Sequence, residues 1–476
     1  MRNVKALTAT SLALALAACN MAPKYVRPDL PVPETSPSGP VDGNAQGIGQ
    51  GATVSADTSW KEFFTDPRLA RVIQTALDNN RDLRIAVANV EQARAQYRVQ
   101  RADLLPTVAA GGSATYQDQP FAQASSGGAG SASGRTDIYT ASVGISSWEI
   151  DLFGRVRNLT KAAQESYFAS VENRNAAQTA LIAETANAWL TMAADQERLK
   201  IASDLEKAFG QTLDLTKARF AKGIASELEV RQAQTSHDQA RSDIALATTL
   251  VAQDRNALDL LAGTSLAPGD LPTELPDSDV TLNNLPAELP STLLLRRPDI
   301  AAAEHQLIGA NANIGAARAA FFPSISLTAA FGTMSLGLSN LFKSGSDYWS
   351  VAPSATLPIF DFGKNQGNLR YARATYDAMV ATYEKSVQTG FKEVADALAR
   401  RATMNAQLEA QTSLRDAARV SYKLSDARFR AGVDDFLTTL AAQRTLHSAE
   451  QTLVTTRLTR ASNMVEIYRA IGGGLT

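Results

Sequence analysis

Residues that could do chemistry are few. His237, His305 and His447 are the only imidazoles, and they are far apart, none of them in a two-histidine spacing that would hold a metal on one helix face. They read as polar residues on helix surfaces. No glycine-rich loop leads into a helix as a phosphate-binding turn does: Gly127-Gly128 falls in a polar loop and Gly472-Gly473-Gly474 at the carboxy terminus. The acids form no paired-carboxylate pattern. No catalytic, cofactor-binding or metal-ligating residue is assigned, and an enzyme is not expected. A formal net charge of −2 offers no basic field for nucleic acid.

The exception is Cys19. Arg2 and Lys5 precede an apolar run, Ala6 to Ala18, of about a dozen residues, which is too short to span a bilayer and has the length of a signal-peptide core. The run ends in Leu16-Ala17-Ala18-Cys19, which resembles a bacterial lipobox. That resemblance implies a lipoprotein signal peptide over 1–18, cleavage before Cys19 and lipid attachment to its sulfur. Asn20, rather than Asp, favours sorting to the outer membrane. Cys19 is the only cysteine, so the exported chain folds without an intrachain disulfide. Beyond the signal no apolar run of about 18 residues exists, which leaves a periplasmic protein on a lipid leash or a β-barrel, whose strands escape hydropathy scans.

The chain is duplicated. Arg81-Asp82-Leu83 through Arg101 to Pro106 aligns with Pro298-Asp299-Ile300 through Arg318 to Pro323; Asp151-Leu152-Phe153-Gly154 answers Asp361-Phe362-Gly363; Ala218-Arg219-Phe220-Ala221-Lys222-Gly223 answers Ala427-Arg428-Phe429-Arg430-Ala431-Gly432. The expected organisation is a lipid-anchored extended strap over 19–59, a first repeat over 60–267, a proline-punctuated linker over 268–290 and a second repeat over 291–476.

Each repeat runs from a helix through two short alternating segments into about a hundred residues of Ala-, Gln- and Arg-rich helix. Ile325, Leu327, Ala329 and Phe331 interleave with Ser324, Ser326, Thr328 and Ala330, and Tyr139, Ala141, Val143 and Ile145 interleave with Thr140, Ser142 and Gly144. Period two puts the sets on opposite faces of a strand. Strands are expected over about 105–118, 138–150, 323–333 and 348–360, and helical hairpins over about 155–262 and 364–471. Apolar residues against small neutral ones suit a membrane barrel, with Tyr139, Trp148, Tyr348 and Trp349 as strand-end aromatics. Leu181, Thr185, Ala188 and Met192, and likewise Phe391, Ala395, Leu398 and Ala402, have coiled-coil seam spacing. A helix reversal is expected at the polar run Ala194-Asp195-Gln196-Glu197, about 54 Å of helix from Arg155. Gly223 and Gly432 read as helix stops, with Ser226 and Asp434 or Asp435 as caps.

Four strands cannot stand alone in lipid, where each unpaired backbone group costs several kcal/mol. Two chains would give eight strands and a filled interior; three give twelve and room for a bore.

Together with Leu289-Pro290-Ser291 leading to Arg296-Arg297-Pro298-Asp299-Ile300, Tyr468-Arg469-Ala470-Ile471-Gly472-Gly473-Gly474 and Pro23-Lys24-Tyr25-Val26-Arg27-Pro28, these blocks resemble the TolC-like outer-membrane efflux proteins, and most of all the lipoprotein branch serving RND-type multidrug pumps. The resemblance implies a mainly α protein with a membrane β-barrel: a homotrimer whose twelve-stranded β-barrel is continued by a long periplasmic α-helical coiled-coil barrel. It implies a mixed α/β equatorial region near Gly223 and Gly432, contact with outer-membrane lipid, a periplasmic adaptor protein and an inner-membrane RND-type pump. It also implies a periplasmic tip closed by inner-helix residues, for which the matching candidates are Asp396, Leu398 and Arg400. A type I protein-secretion conduit and a periplasmic coiled-coil scaffold lipoprotein are the alternatives.

Overall fold

A computed structural model describes residues 20–35, 58–118, 135–276, 280–282 and 290–474. Cys19, the expected signal peptide and most of the expected strap lie outside them. In chain order the elements are α1 (Trp60–Phe63), α2 (Pro67–Asn79), α3 (Arg81–Ala102), β1 (Val108–Asp118), β2 (Arg135–Glu149), α4 (Arg155–Ala221), α5 (Glu227–Ala262), α6 (Pro298–Ala319), β3 (Ser324–Ser335), β4 (Asp347–Thr356), α7 (Lys364–Arg430) and α8 (Phe436–Ala470). They divide into two compact units, one containing 90–170 and 303–383 with the residues up to Pro28, the other containing 29–89, 171–302 and 384–476.

The first unit holds the sheet, antiparallel in the order β1-β2-β3-β4. An aspartate after each hairpin starts the next helix. The Asp151 carboxylate accepts from the Arg157 backbone N–H at 2.8 Å, and Asp361 accepts from the N–H groups of Asn365 at 2.9 Å and Gly363 at 3.0 Å. These satisfy donors that a helix start leaves unpaired, and the bonds from Asn365 and Gly363 hold the Asp361 carboxyl below its usual range. The turns stack Phe153 on Phe322, ring centres 4.8 Å apart. Residues 20–27 lie along α6: Asn311 donates to the Pro23 carbonyl at 2.8 Å, Asn158 donates to Asn20 Oδ1 at 2.8 Å, and Arg27 pairs with Glu304 at 2.6 Å. A Cβ on Gly315 would stand 2.7 Å from Ala22, so α6 needs glycine where the strap crosses it.

The second unit is built on the helical hairpins. α4 and α7 are each 67 residues, about 100 Å at 1.5 Å per residue. The reversal expected at 194–197 is absent, since α4 runs straight through it. Those residues are polar for another reason: Asp195 is buried and pairs with Arg198 at 2.6 Å, and Glu197 pairs with Arg457 at 2.8 Å. The reversals are instead at Gly223 and Gly432, whose φ of 72° and 77° are left-handed. Ile224 N–H reaches back to the Arg219 carbonyl and Val433 N–H to that of Arg428, both at 2.9 Å. Ser226 and Glu229 form a reciprocal capping box at the start of α5, and Asp435 caps α8 through the Thr438 N–H.

The expected mixed α/β region near those glycines is also displaced. No strand flanks Gly223 or Gly432 among the described residues, because backbone bonding there is consumed by the Schellman-type turns and caps. The isolated bridges Ser59↔Gly474 and Phe64↔Thr281 flank α1, with Phe63 stacked on Tyr468 at 4.4 Å, and Thr35↔Pro290 is a third, while Arg297 lies beside Gly472. Arg297 is nearly enclosed there; its guanidinium bonds Asp299 at 2.7 Å, Glu393 at 2.9 Å and the Ala470 carbonyl at 3.0 Å. A buried guanidinium is tolerated only when its donors are answered in this way.

Candidate channel wall

The strand register sorts the sheet into two chemically distinct faces. Ala110, Val143, Phe331 and Trp349 stand in one row across the four strands, and Val108, Ile145, Ala329 and Val351 in another on the same face. Phe331 and Trp349 are 68% and 74% exposed. The opposite face carries Gly111, Ser142, Gly332 and Tyr348 in one row and Ala109, Gly144, Ala330 and Ser350 in the next. Hydroxyls bond across it, Ser113 to Thr140 at 2.6 Å and Ser326 to Ser354 at 2.8 Å. Gly332 is obligatory for close approach: a Cβ there would be 2.2 Å from the Ala141 carbonyl oxygen.

Large apolar side chains on an uncovered face require an apolar solvent, while small hydroxyl-bearing residues suit water. β1 and β4 each have one edge with no partner strand among the described residues. Such edges are stable only against another strand. The sheet is thus a wall segment: greasy on one side, wet on the other, adhesive at both ends. No helix among the described residues is long and apolar enough to cross a membrane.

Of the gate candidates, Asp396 is exposed on α7 and accepts from Lys392 Nζ at 2.6 Å. Leu398 is half-buried and Arg400 exposed. The three lie in mid-helix, Asp396 about 54 Å of helix before the Gly432 reversal. Glu393, between Lys392 and Asp396 in register, holds Arg297, so this stretch of α7 is fixed in rotation by a buried ion pair. The three histidines are separate: His305 meets Glu165 at 2.6 Å, His237 meets Glu206 at 3.1 Å, and His447 lies apart from both. No group of three or more His, Cys, Asp or Glu side chains among the described residues could hold a metal.

One titratable pair was missed in the sequence. Asp254 of α5 faces Asp195 of α4, and burial together with the Asp195 carboxyl pushes Asp254 up to about 6. Two aspartates so far apart in the chain carry no local signal; the only clue was that 194–197 is polar inside an otherwise alanine-rich seam.

The outer membrane efflux protein family matches residues 72–264 and 289–473, which are the two repeats. The toluene efflux pump outer membrane protein TtgC of Pseudomonas putida is 46% identical over 464 residues, covering 97% of this chain and 94% of that protein. The antibiotic efflux pump outer membrane protein ArpC of Pseudomonas putida has the same identity and coverage. Among solved structures, the open state of the Neisseria gonorrhoeae MtrE outer membrane channel is 40% identical, with a TM-score of 0.84 over 96% of this chain and 99% of that one. With both repeats matched and 97% of its length aligned at 46% identity, the chain belongs to the outer membrane efflux protein family.

Proposed function

We propose that three copies of this chain close one twelve-stranded β-barrel in the outer membrane and one helical tunnel, forming the exit channel of a tripartite efflux system. A periplasmic adaptor joins the channel to an inner-membrane RND-type pump, and small toxic compounds of the antibiotic and solvent classes pass through. The observation that carries this reading is the open four-stranded sheet with one apolar face, one small polar face and two unpaired edges. Three such sheets satisfy every edge at once and leave a water-filled lumen. The alanine-rich seams of the helices allow close, long packing. Cys19 carries the lipid that tethers each protomer to the outer membrane. Asp396, with Leu398 and Arg400 nearby, forms a ring of three like charges in the bore that attracts cations and narrows the path.

The test is the purified full-length protein in a planar bilayer, together with its mobility on gels before and after heating. The expected result is a heat-modifiable trimer with discrete conductance, and Asp396→Ala altering cation blockade. A water-soluble monomer extracted without detergent, or a trimer with no conductance, would overturn the channel reading. A channel whose blockade ignores Asp396→Ala would overturn the ring alone.

A further inference from the structure

In the first unit a hollow of about 480 Å³ lies where β2, β3 and β4 join the helices. Residues of three turns wall it: 149–155 between β2 and α4, 319–324 between α6 and β3, and 356–365 between β4 and α7. Ile150, Leu152, Phe322 and Pro358 are among its apolar members. Its acids are engaged by the protein. Glu149 accepts from Arg155 at 2.8 Å, Asp151 from the Arg157 backbone N–H at 2.8 Å, and Asp361 from the N–H groups of Gly363 and Asn365. The surface left open to the hollow is mostly apolar, which favours an apolar occupant over water.

The first residues of the described chain lie against two of these three segments. Asn20 Oδ1 accepts from Asn158 Nδ2 at 2.8 Å, and a Cβ on Gly154 would stand 3.4 Å from that same oxygen. Phe153 and Arg155, on either side of Gly154, both line the hollow. Arg318 donates to the Met21 carbonyl at 3.4 Å, and Ala319 and Ala320, next along the chain, are wall residues as well. Asn20 and Met21 are thus held by neighbours of the wall. Cys19 is one peptide unit further back, its Cα about 3.8 Å from that of Asn20.

We propose that this hollow seats an acyl chain carried by Cys19 itself. The proposal rests on the reading of Cys19 as the lipid-bearing amino terminus. The strap fixes that residue beside the wall, so a chain attached there binds intramolecularly, at an effective concentration that loose bilayer lipid does not match. The volume lies within the range of sites for small apolar ligands, roughly 300–1,000 Å³. Lys364, exposed at the start of α7 and part of the lining, offers an ammonium to the ester carbonyls that join such a chain to its linker. Because all three turns contribute, an occupant holds the ends of β2, β3 and β4 against the starts of α4 and α7 and stabilises that arrangement. The lipid is then a part of the strand–helix junction as well as a tether.

The experiment produces the full-length protein in cells fed a fatty acid that carries a diazirine in mid-chain. Membranes are irradiated, the protein is purified, its intact mass is measured and its crosslinked peptides are mapped. The expected result is an acylated protein whose crosslinks concentrate in 149–155, 319–324 and 356–365. Ala320→Trp and Leu152→Trp fill the hollow from two different walls while Cys19 stays in place. Each should cut those crosslinks by about tenfold or more, with acylation by mass and helix content unchanged. An acylated parent protein whose crosslinks fall on bilayer lipid alone, or on the apolar rows of Val143, Phe331 and Trp349, overturns the proposal and leaves the lipid-anchor reading standing. A protein without an acyl group by intact mass overturns that reading and the proposal with it. Crosslinks at the three turns that persist undiminished in both folded variants overturn the seat in the hollow.

Discussion

α3 and α6 occupy the same place in the two repeats and have the same 22-residue length, yet one is bare and the other covered. On α3 only Leu83 is buried, and Ile85 and Val99 are more than half exposed. On α6, Ile300, Leu307, Ala310, Ala312 and Ile314 are all buried. The cover comes from two sources. A Cβ on Gly309 would sit 3.5 Å from the Ala162 carbonyl of α4, and the amino-terminal segment 20–27 runs over Gly315 and Asn311. By the alignment of the repeats, the residues matching Gly309 and Gly315 are Gln92 and Arg98. A duplicated chain still has only one amino terminus, so only one of its two equivalent helices can be covered by it. The other leaves Ile85 and Val99 exposed in the protomer.

Exchanging residues between the two copies tests how far this asymmetry goes. The largest effect is expected for Gly315→Arg, which puts the first repeat's residue into the second. A Cβ there already meets Asn158 Nδ2 at 2.5 Å and Ala22 at 2.7 Å, so a full side chain must expel the strap. Overpacking of this kind costs on the order of 3 kcal/mol or more. Limited proteolysis should cut near Ala22 in the variant and not in the parent. The reverse exchange, Arg98→Gly, should cost only about 1 kcal/mol of helix propensity. Equal losses from the two exchanges would mean that the strap does not distinguish the helices.

Leu307→Ala comes next. Leu307 is fully buried on α6, and truncation should cost about 2–5 kcal/mol in urea denaturation. Its counterpart Val90, half-buried on α3, should lose under about 1.5 kcal/mol on truncation to alanine. A cost at Val90 that appears only in the trimer, and not in detergent-dissociated protomers, would place α3 at a subunit boundary.

What could be read in advance follows the range of the interaction. The strands and the duplication were legible because alternation such as Ser324 to Phe331, and blocks such as Ala218 to Gly223, are local patterns. The stops at Gly223 and Gly432 were legible because left-handed turns favour glycine wherever they occur. The false reversal at 194–197 arose because Asp195 and Glu197 look like solvent-facing residues, whereas Asp195 is buried and Glu197 pairs with Arg457, far along the chain. The Arg296-Arg297-Pro298-Asp299 block was conspicuous, but its physical reason, a guanidinium shared by Asp299, Glu393 and the Ala470 carbonyl, needs the folded chain.

The long hairpins carry the comparison further, because α4 and α7 match residue for residue over their full length. Asp195 and Asp254 in the first repeat correspond to Met404 and Asn463 in the second, both of which are buried. One hairpin therefore holds two facing carboxyls, one of them pushed up by burial, where the other holds a thioether and an amide. Asp254 keeps its proton to about pH 6 in the folded chain and releases it near its ordinary value of 3.8 when unfolded. Between those values the folded state binds the extra proton, so stability is greatest below about pH 4, falls as pH rises and levels off above about 6. Asp254→Asn, which installs the second repeat's residue, should flatten that slope and raise the thermal midpoint at neutral pH. An unchanged slope across pH 4 to 6 would show that Asp254 does not hold the extra proton in the folded chain.

The smallest effect is expected at the same register on the seams. Asp396 corresponds to Asn187, and Lys392 to the buried Ala183. The Lys392–Asp396 pair is exposed and one helical turn apart, so Asp396→Asn should leave stability nearly unchanged, and more so in high salt. If the two hairpins played equal parts around the bore, that exchange would leave ion conduction as unmoved as stability. If α7 alone presents charge to the lumen, Asp396→Asn should lower cation selectivity while the melting curve stays in place, and Asn187→Asp should not raise it. A large loss of stability on Asp396→Asn would instead assign the carboxylate to protein packing and remove it from the bore.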